Sequence, residues 1–294
     1  MSQRRSSWKC AVAYADNSYR PLTALNIALT VVGYEKSGRN EDLNKIDLHV
    51  HSRLSKSFDY DHANLERLVR VGRRRGLNAF ALTEHIHAVN FWEMHNWLLG
   101  NFEYEDGAYR IERDFTVLSG AEVTVAERVD FIVVGPLDRL ASLDNAFRPR
   151  LSEWNHAPAL EFAQAARDHG MVLLLAHPFR VGKEAAKLDE RIFDLVHAVE
   201  VNGRDHGGER QVVALAEKHD LPLSGGSDAH FYLQVGIRST VVPRDEVHYE
   251  AIRESFEARR TRVHAKPYAR PVVEFCQEVK RVAKWQGAVE AAVA

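Results

Sequence analysis

The residues of this chain best suited to chemistry are histidines and carboxylates at the ends of short apolar runs. In Ile46-Asp47-Leu48-His49-Val50-His51 the two histidines are one residue apart. In an extended strand both imidazoles then leave the same face about 7 Å apart, near enough to share a metal ion. Asp228 and His230 repeat that spacing in Gly225-Gly226-Ser227-Asp228-Ala229-His230. Between the two pairs lie Thr83-Glu84-His85, Ser119-Gly120-Ala121-Glu122, Ala176-His177-Pro178-Phe179-Arg180 and Val199-Glu200-Val201-Asn202-Gly203-Arg204. A lone HxH, EH or HP means little, and a single strand-end glutamate serves equally well as a helix cap. Their recurrence at one structural position is what carries information. Carboxylates and imidazoles gathered in one mouth without a cation would leave desolvated charge unpaired, whereas divalent ions satisfy them. The 15 histidines are about twice the number expected of an average chain of this length.

The elements that must position these residues read as alternating strands and helices. Strands are expected at 45–50, 78–82, 116–121, 131–134, 171–176, 198–201, 221–223 and 239–242. Helices are expected at 62–75, 157–169, 208–219 and 246–260, with a further one at 272–285. Leu65, Leu68 and Val69 show the helical spacing well, and Gly76, Gly170 and Pro222 fall where helices should stop. Val172 to Leu175 is apolar on both faces, as in a parallel strand covered on both sides. Strands alternating with helices predict an α/β chain with parallel strands, whose sites lie at the C-terminal strand ends. No repeat or flexible linker divides it. The expected organisation is an N-terminal extension over 1–44, a barrel over 45–245, and C-terminal helices over 246–294 packing on it as part of the same domain.

Over residues 45 to 245 the ordered motifs resemble the PHP superfamily, named for polymerase and histidinol phosphatase. The HxH element is His49 and His51, and a TDH-like element is Thr83-Glu84-His85. A strand-end glutamate follows at Glu122, then the HP motif at His177 and the closing DxH at Asp228 and His230. The resemblance implies a distorted TIM-like (β/α)7 barrel that holds two or three divalent ions, Zn, Mn or Fe, and hydrolyses phosphoesters through a metal-bound hydroxide. By the same resemblance His49, His51, Glu122 and Asp228 would hold one ion, with Glu122 bridging to a second ion with His177, and His85 and His230 would belong to a third position. The sequence departs from the family pattern in three places. Lys56 and Ser57 stand where a third-ion ligand is usual, with Asp59 or Asp61 as substitutes. Gly135-Pro136-Leu137 lacks the histidine some members carry after the fourth strand, with His156 as an alternative. Glu84 replaces the usual Asp and is expected behind the ligands rather than among them.

Phosphoester chemistry also calls for cations, and Arg180, Arg204 and Arg53 lie on strand-end loops where a guanidinium could clamp phosphate, with Asn202 beside Arg204. His85 or His230 is the expected proton donor to the leaving oxygen. An amidohydrolase-type barrel also opens with HxH; the DxH ending, the extra His85 and the lack of a strand-end lysine favour the phosphoesterase. A non-catalytic metal-binding scaffold is the alternative of a different class. The formal net charge of -2 supplies no bulk field toward nucleic acid or an anionic membrane, so a small phosphorylated substrate or a nucleic-acid end is expected. With 45% apolar and 27% charged residues, disorder is excluded. Cys10 and Cys276 form no CxxC pattern, and no run is long enough to span a membrane, so a soluble, cytoplasmic protein is expected. The oligomeric state is not legible from these features.

Overall fold

The computed structural model describes residues 43–53, 60–147, 150, 156–183, 185–243 and 247–293, with side chains to 282. The expected extension over 1–44, save its last two residues, and Lys56, Ser57 and Asp59 lie outside the described residues. The chain runs β1 (Leu43–Val50), α1 (His62–Arg74), β2 (Ala79–Leu82), α2 (Phe91–Asn101), β3 (Glu103–Glu105), β4 (Ala108–Glu112), β5 (Phe115–Thr124) and β6 (Asp130–Val134). It continues through α3 (Leu137–Phe147), α4 (Ala159–Asp168), β7 (Val172–Ala176), two short 3₁₀ turns, β8 (Ala198–Asn202) and α5 (Glu209–Lys218). β9 (Leu223–Gly226), β10 (Arg238–Pro243), α6 (Tyr249–Glu257), β11 (Arg262–Ala265) and α7 (Ala269–Val293) complete it.

Hydrogen bonding orders the strands β11-β10-β1-β2-β5-β6-β7-β8-β9. The barrel nearly closes where β9 comes up against β1 and β10. Gly225 N donates to Thr240 Oγ1 at 2.8 Å, Ser227 N to Asp47 Oδ1 at 2.8 Å, and His51 N to Ala229 O at 2.8 Å. Alternate residues of the strands serve two surfaces, as the strand period requires. Ala79, Ala81, Ile132, Val134, Val172, Leu174 and Ala176 join Tyr249, Ile252 and Phe256 of α6 in one core. The intervening Phe131, Val133, Leu173 and Leu175 pack against α3 and α4, which is why β7 reads as apolar on both faces.

Most strands are parallel, but β6 pairs antiparallel with both β5 and β7, and β10 pairs antiparallel with β1 and β11. The expected barrel of parallel strands holds for most of the sheet, and β6 runs against it for a physical reason. Only residues 125–129 separate β5 from β6, and a parallel crossover needs about a dozen or more residues, whereas an antiparallel hairpin needs few. A second hairpin, β3 with β4, was not foreseen. It turns at Asp106 and Gly107, both at positive φ (45° and 78°), the backbone of a two-residue turn for which Asp-Gly is a strong signal. The C-terminal segment likewise contains a strand, β11, as well as helices.

Asp61 caps α1 by accepting from Ala63 N at 2.9 Å and is exposed, so it serves the helix rather than a third ion. His95 on α2 is buried against Tyr109 Oη (2.9 Å). His197 is buried just before β8, where its Nδ1 accepts from Leu173 N at 3.0 Å. Burial depresses both imidazoles to about 3, helped for His197 by Arg167. Each is therefore neutral when folded but protonates in the unfolded chain below about 6.5. Stability from each is complete above about pH 6.5 and falls as pH drops toward 3, by roughly 1 kcal/mol per pH unit. In urea unfolding between pH 7 and 5, H95F should show a shallower acid decline by about that slope; an unchanged slope would refute neutral burial of His95.

Candidate metal centre

Strand ends bring the predicted residues together. His49 and His51 come from the end of β1, His85 follows β2, Glu122 lies in β5, His177 follows β7, and Asp228 and His230 follow β9. Three overlapping groups have ligand atoms all within 4.8 Å of one another: His49, Glu122 and His177; His49, His51 and Asp228; and His51, His85 and Glu122. Glu122 spans the centre. Its Oε1 is 2.9 Å from His177 Nε2, and its Oε2 is 3.0 Å from His85 Nδ1, 3.4 Å from His51 Nε2 and 3.7 Å from His49 Nε2. Asp228 Oδ1 lies 3.4 Å from His230 Nε2 and 3.5 Å from His51 Nε2. His230 stacks on His51 with ring centroids 4.2 Å apart.

The backbone is shaped around these groups. His177 and Asp228 both have positive φ, 27° and 51°, a conformation that costs an ordinary residue of the order of 1 kcal/mol and persists only where its surroundings impose it. Glu122 N donates to Glu84 O at 2.9 Å, tying β5 to the end of β2.

Several imidazoles are oriented from behind. Glu200 Oε1 is 2.8 Å from His49 Nδ1, so with that nitrogen protonated Nε2 points its lone pair into the centre. His230 Nδ1 donates to Arg53 O at 3.1 Å to the same effect. Glu84 accepts from Ser52 N at 2.5 Å, Ser52 Oγ at 3.0 Å and Arg53 N at 3.2 Å, holding the loop that carries His51. Asp47 accepts from Ser227 N at 2.8 Å and Gly236 N at 2.7 Å, fixing the approach to Asp228.

Electrostatically the site is a buried cluster that demands compensation. Burial alone would depress His49, but Glu200, Asp228 and Glu122 outweigh it and hold the imidazole well above its usual range. Burial would raise Glu122, but His85, His49 and the bond from His177 hold it well below the carboxylate range. Asp228 is held low too, against burial, by Arg204, Arg180 and His49. Burial, reinforced by His51, keeps His230 well below the usual histidine range. The buried nitrogens His51 Nδ1 and His177 Nδ1 have no hydrogen-bond partner. This donor set, of mixed nitrogen and oxygen with buried carboxylates and unpartnered imidazoles, fits divalent cations.

The predicted substrate groups are placed unevenly. Arg180 Nη2 reaches Asp228 Oδ2 at 2.5 Å, and Arg204 Nη1 reaches Asp228 Oδ1 at 3.0 Å. Asn202 does not face outward but supports that pair, accepting from Arg180 Nη2 at 3.1 Å and Arg204 N at 2.8 Å while donating to Glu200 at 3.0 Å. Arg53 is also withdrawn: it is buried, with its guanidinium on the carbonyls of Val89 and Asn90 and its Nε 3.5 Å from Glu84. His156 is in none of the three groups. The sequence assigns no site role to Glu200, Asp47, Asp130 or Lys183. A carboxylate inside the apolar run of β8 was the available signal for Glu200. Lys183 bonds Asp130, whose Oδ2 is 3.6 Å from His177 Nε2, so a lysine does reach the strand ends after all. The larger surface grooves, of about 880 and 940 Å³, are not lined by any residue of the three groups.

With the geometry in view, fold and site define a distorted TIM-like barrel whose strand ends gather a cluster that could hold metal. Residues 209–261, which include Asp228 and His230, match the family described as PHP-associated. The chain is similar to PsfC from Pseudomonas syringae, with 25% identity and a TM-score of 0.68 over 82% of this chain and 99% of that one. It shares its fold with the lesion-specific endonuclease Q of Pyrococcus furiosus (19% identity, TM-score 0.59, 74% of this chain and 56% of that one). It does so also with a two-domain protein from Bacteroides vulgatus described as containing a predicted PHP-like metal-dependent phosphoesterase (20% identity, TM-score 0.50, 76% and 65%). An uncharacterised protein of Methanocaldococcus jannaschii is 39% identical over 85 residues, 26% of this chain, and that match spans only 36% of its length. Among the described residues no helix is long and apolar enough to cross a membrane.

Proposed function

We propose that this chain hydrolyses phosphoester bonds with divalent cations held at the strand ends, acting on a small phosphorylated substrate or a nucleic-acid end. The observation that carries the reading is Glu122, whose two oxygens face different imidazoles, His177 on one side and His49, His51 and His85 on the other. A carboxylate so placed suits two cations. His49, His51, Glu122 and Asp228 would hold one, Glu122 and His177 a second, and His85 and His230 a third. Such ions, Zn, Mn or Fe, supply Lewis acidity and activate water as the nucleophile.

The remaining work falls to the chain itself. Arg180 and Arg204, gathered on Asp228, present planar donor groups suited to phosphoryl oxygens. Asp205, 3.0 Å from Arg180 Nε, and Asn202 fix their aim. Glu200 and the Arg53 carbonyl set the tautomers of His49 and His230. His85, with 22% of its side chain exposed against 10% for His230, is the imidazole more open to solvent; where it holds no cation, it or His230 would protonate the leaving oxygen.

The test is turnover by protein loaded with Zn, Mn or Fe. The panel comprises histidinol phosphate, nucleoside monophosphates, cyclic phosphates, short oligonucleotides, amides and lactones. Phosphoester turnover that a chelator abolishes and added metal restores is the expected outcome. Turnover of amides or lactones alone would replace this reading with an amidohydrolase; metal bound without any turnover would replace it with a binding scaffold.

A further inference from the structure

We propose that Lys183 is a substrate-binding residue of this centre, an ammonium held on Asp130 to receive an anionic oxygen on the His177 side, away from the arginines on Asp228. The inference rests on the phosphoesterase reading and adds to it a recognition group.

The loop after β7 makes two successive turns. Arg180 N donates to His177 O at 3.0 Å, and Lys183 N donates to Arg180 O at 2.9 Å. Of the three residues so spaced, His177 joins Glu122, Arg180 reaches Asp228, and Lys183 reaches Asp130. Pro178 is buried, while Phe179 at 36% exposure and Val181 at 101% stay outside. One loop thus delivers an imidazole and two cations to a single centre.

The partner carboxylate is built in from the other side. Asp130 begins β6 and is nearly inaccessible; its Oδ1 accepts from Thr124 Oγ1 at 2.6 Å across the β5–β6 hairpin. Its Oδ2, the oxygen that holds the Lys183 ammonium, lies 3.6 Å from His177 Nε2. That nitrogen is itself 2.9 Å from Glu122. Lys183 keeps 19% of its side chain exposed while Asp130 keeps 3%, so the ammonium sits at the boundary between the buried cluster and solvent. An ammonium carries three donors, and Asp130 Oδ2 occupies one side of it, leaving the solvent side for a ligand. A loop tied down for stability alone would not need its anchor on the oxygen nearest a candidate metal ligand.

The experiment measures binding of inorganic phosphate by calorimetry to metal-loaded protein, with elemental analysis and steady-state kinetics, for wild type, K183M, K183R and D130N. Loss of one charge-assisted hydrogen bond should weaken phosphate binding by ~10- to 100-fold in K183M. KM for a phosphoester should rise in step, metal content should stay unchanged, and K183R should recover part of the loss. D130N, which removes the carboxylate that positions the ammonium but leaves its charge, should weaken phosphate binding less than K183M does. Equal losses in D130N and K183M, or metal loss in K183M, would show a structural ion pair and overturn the inference, as would unchanged phosphate affinity in K183M. Wild-type protein that carries metal yet binds no phosphate and cleaves no phosphoester would instead sink the parent reading. If K183M does not fold, the K183R and D130N comparison decides.

Discussion

E122Q is expected to lower phosphoester turnover by on the order of 10³-fold, to reduce the bound divalent metal and to lower thermal stability. Glutamine keeps the volume and one carbonyl oxygen but loses the charge that faces four imidazoles. Removing several kcal/mol of ligand charge from a dry site weakens every cation the carboxylate touches, and about 1.4 kcal/mol corresponds to tenfold in rate. The lower melting temperature follows because His49 stays buried while it loses one of the carboxylates that compensate its charge. Turnover per folded molecule, elemental analysis and a melting curve on one preparation make the test. Full turnover with full metal content would mean that Glu122 merely neutralises histidines.

G226A is expected to destabilise the protein by ~1–3 kcal/mol, the cost of overpacking, and to impair the metal centre as well. A β-carbon at Gly226 would meet Glu200 Oε1 and stand 2.5 Å from His49 Cβ and 3.1 Å from His49 N. Backbone that close cannot yield cheaply, and Glu200 is the carboxylate that orients His49. Strand β9 can therefore pass directly behind the ligand pair only if it has no side chain at this point. G207A is the control, since nothing lies within 4 Å of a β-carbon there, and its effect should stay within about 0.5 kcal/mol, as for most surface changes. For a domain of 150–250 residues each kcal/mol moves the melting temperature about 2–4 °C. G226A melting with G207A and keeping its metal would refute the close approach of β9 to β1.

The candidate site was legible because metal chemistry restricts residue types and strand geometry restricts spacing. His49 with His51, and Asp228 with His230, announce a shared face at i, i+2, and the remaining imidazoles and Glu122 recur at strand ends. The supporting groups were less legible. Glu200 and Asp47 are lone carboxylates in apolar strands, and their partners are 151 and 180 residues away in His49 and Ser227. Arg53 shows the converse failure: a loop arginine beside HxH reads as a phosphate clamp, yet its guanidinium is consumed by the carbonyls of Val89 and Asn90. Strand direction at β6 was readable from the nine residues between the two expected strands, and Asp106-Gly107 announced the β3–β4 turn.

By itself, then, the sequence determined the alternation of strands and helices, the surfaces that must be buried, and which side chains are able to bind a cation, because these depend on periodicity and residue chemistry within a few positions. Tertiary structure decided the antiparallel pairing of β10 with β1, the gathering of Arg180 and Arg204 on Asp228 rather than Arg53, and the reach of Lys183 to Asp130. Those outcomes depend on distances between residues remote along the chain, which are set only when β9 closes against β1 and each buried charge must find its partner.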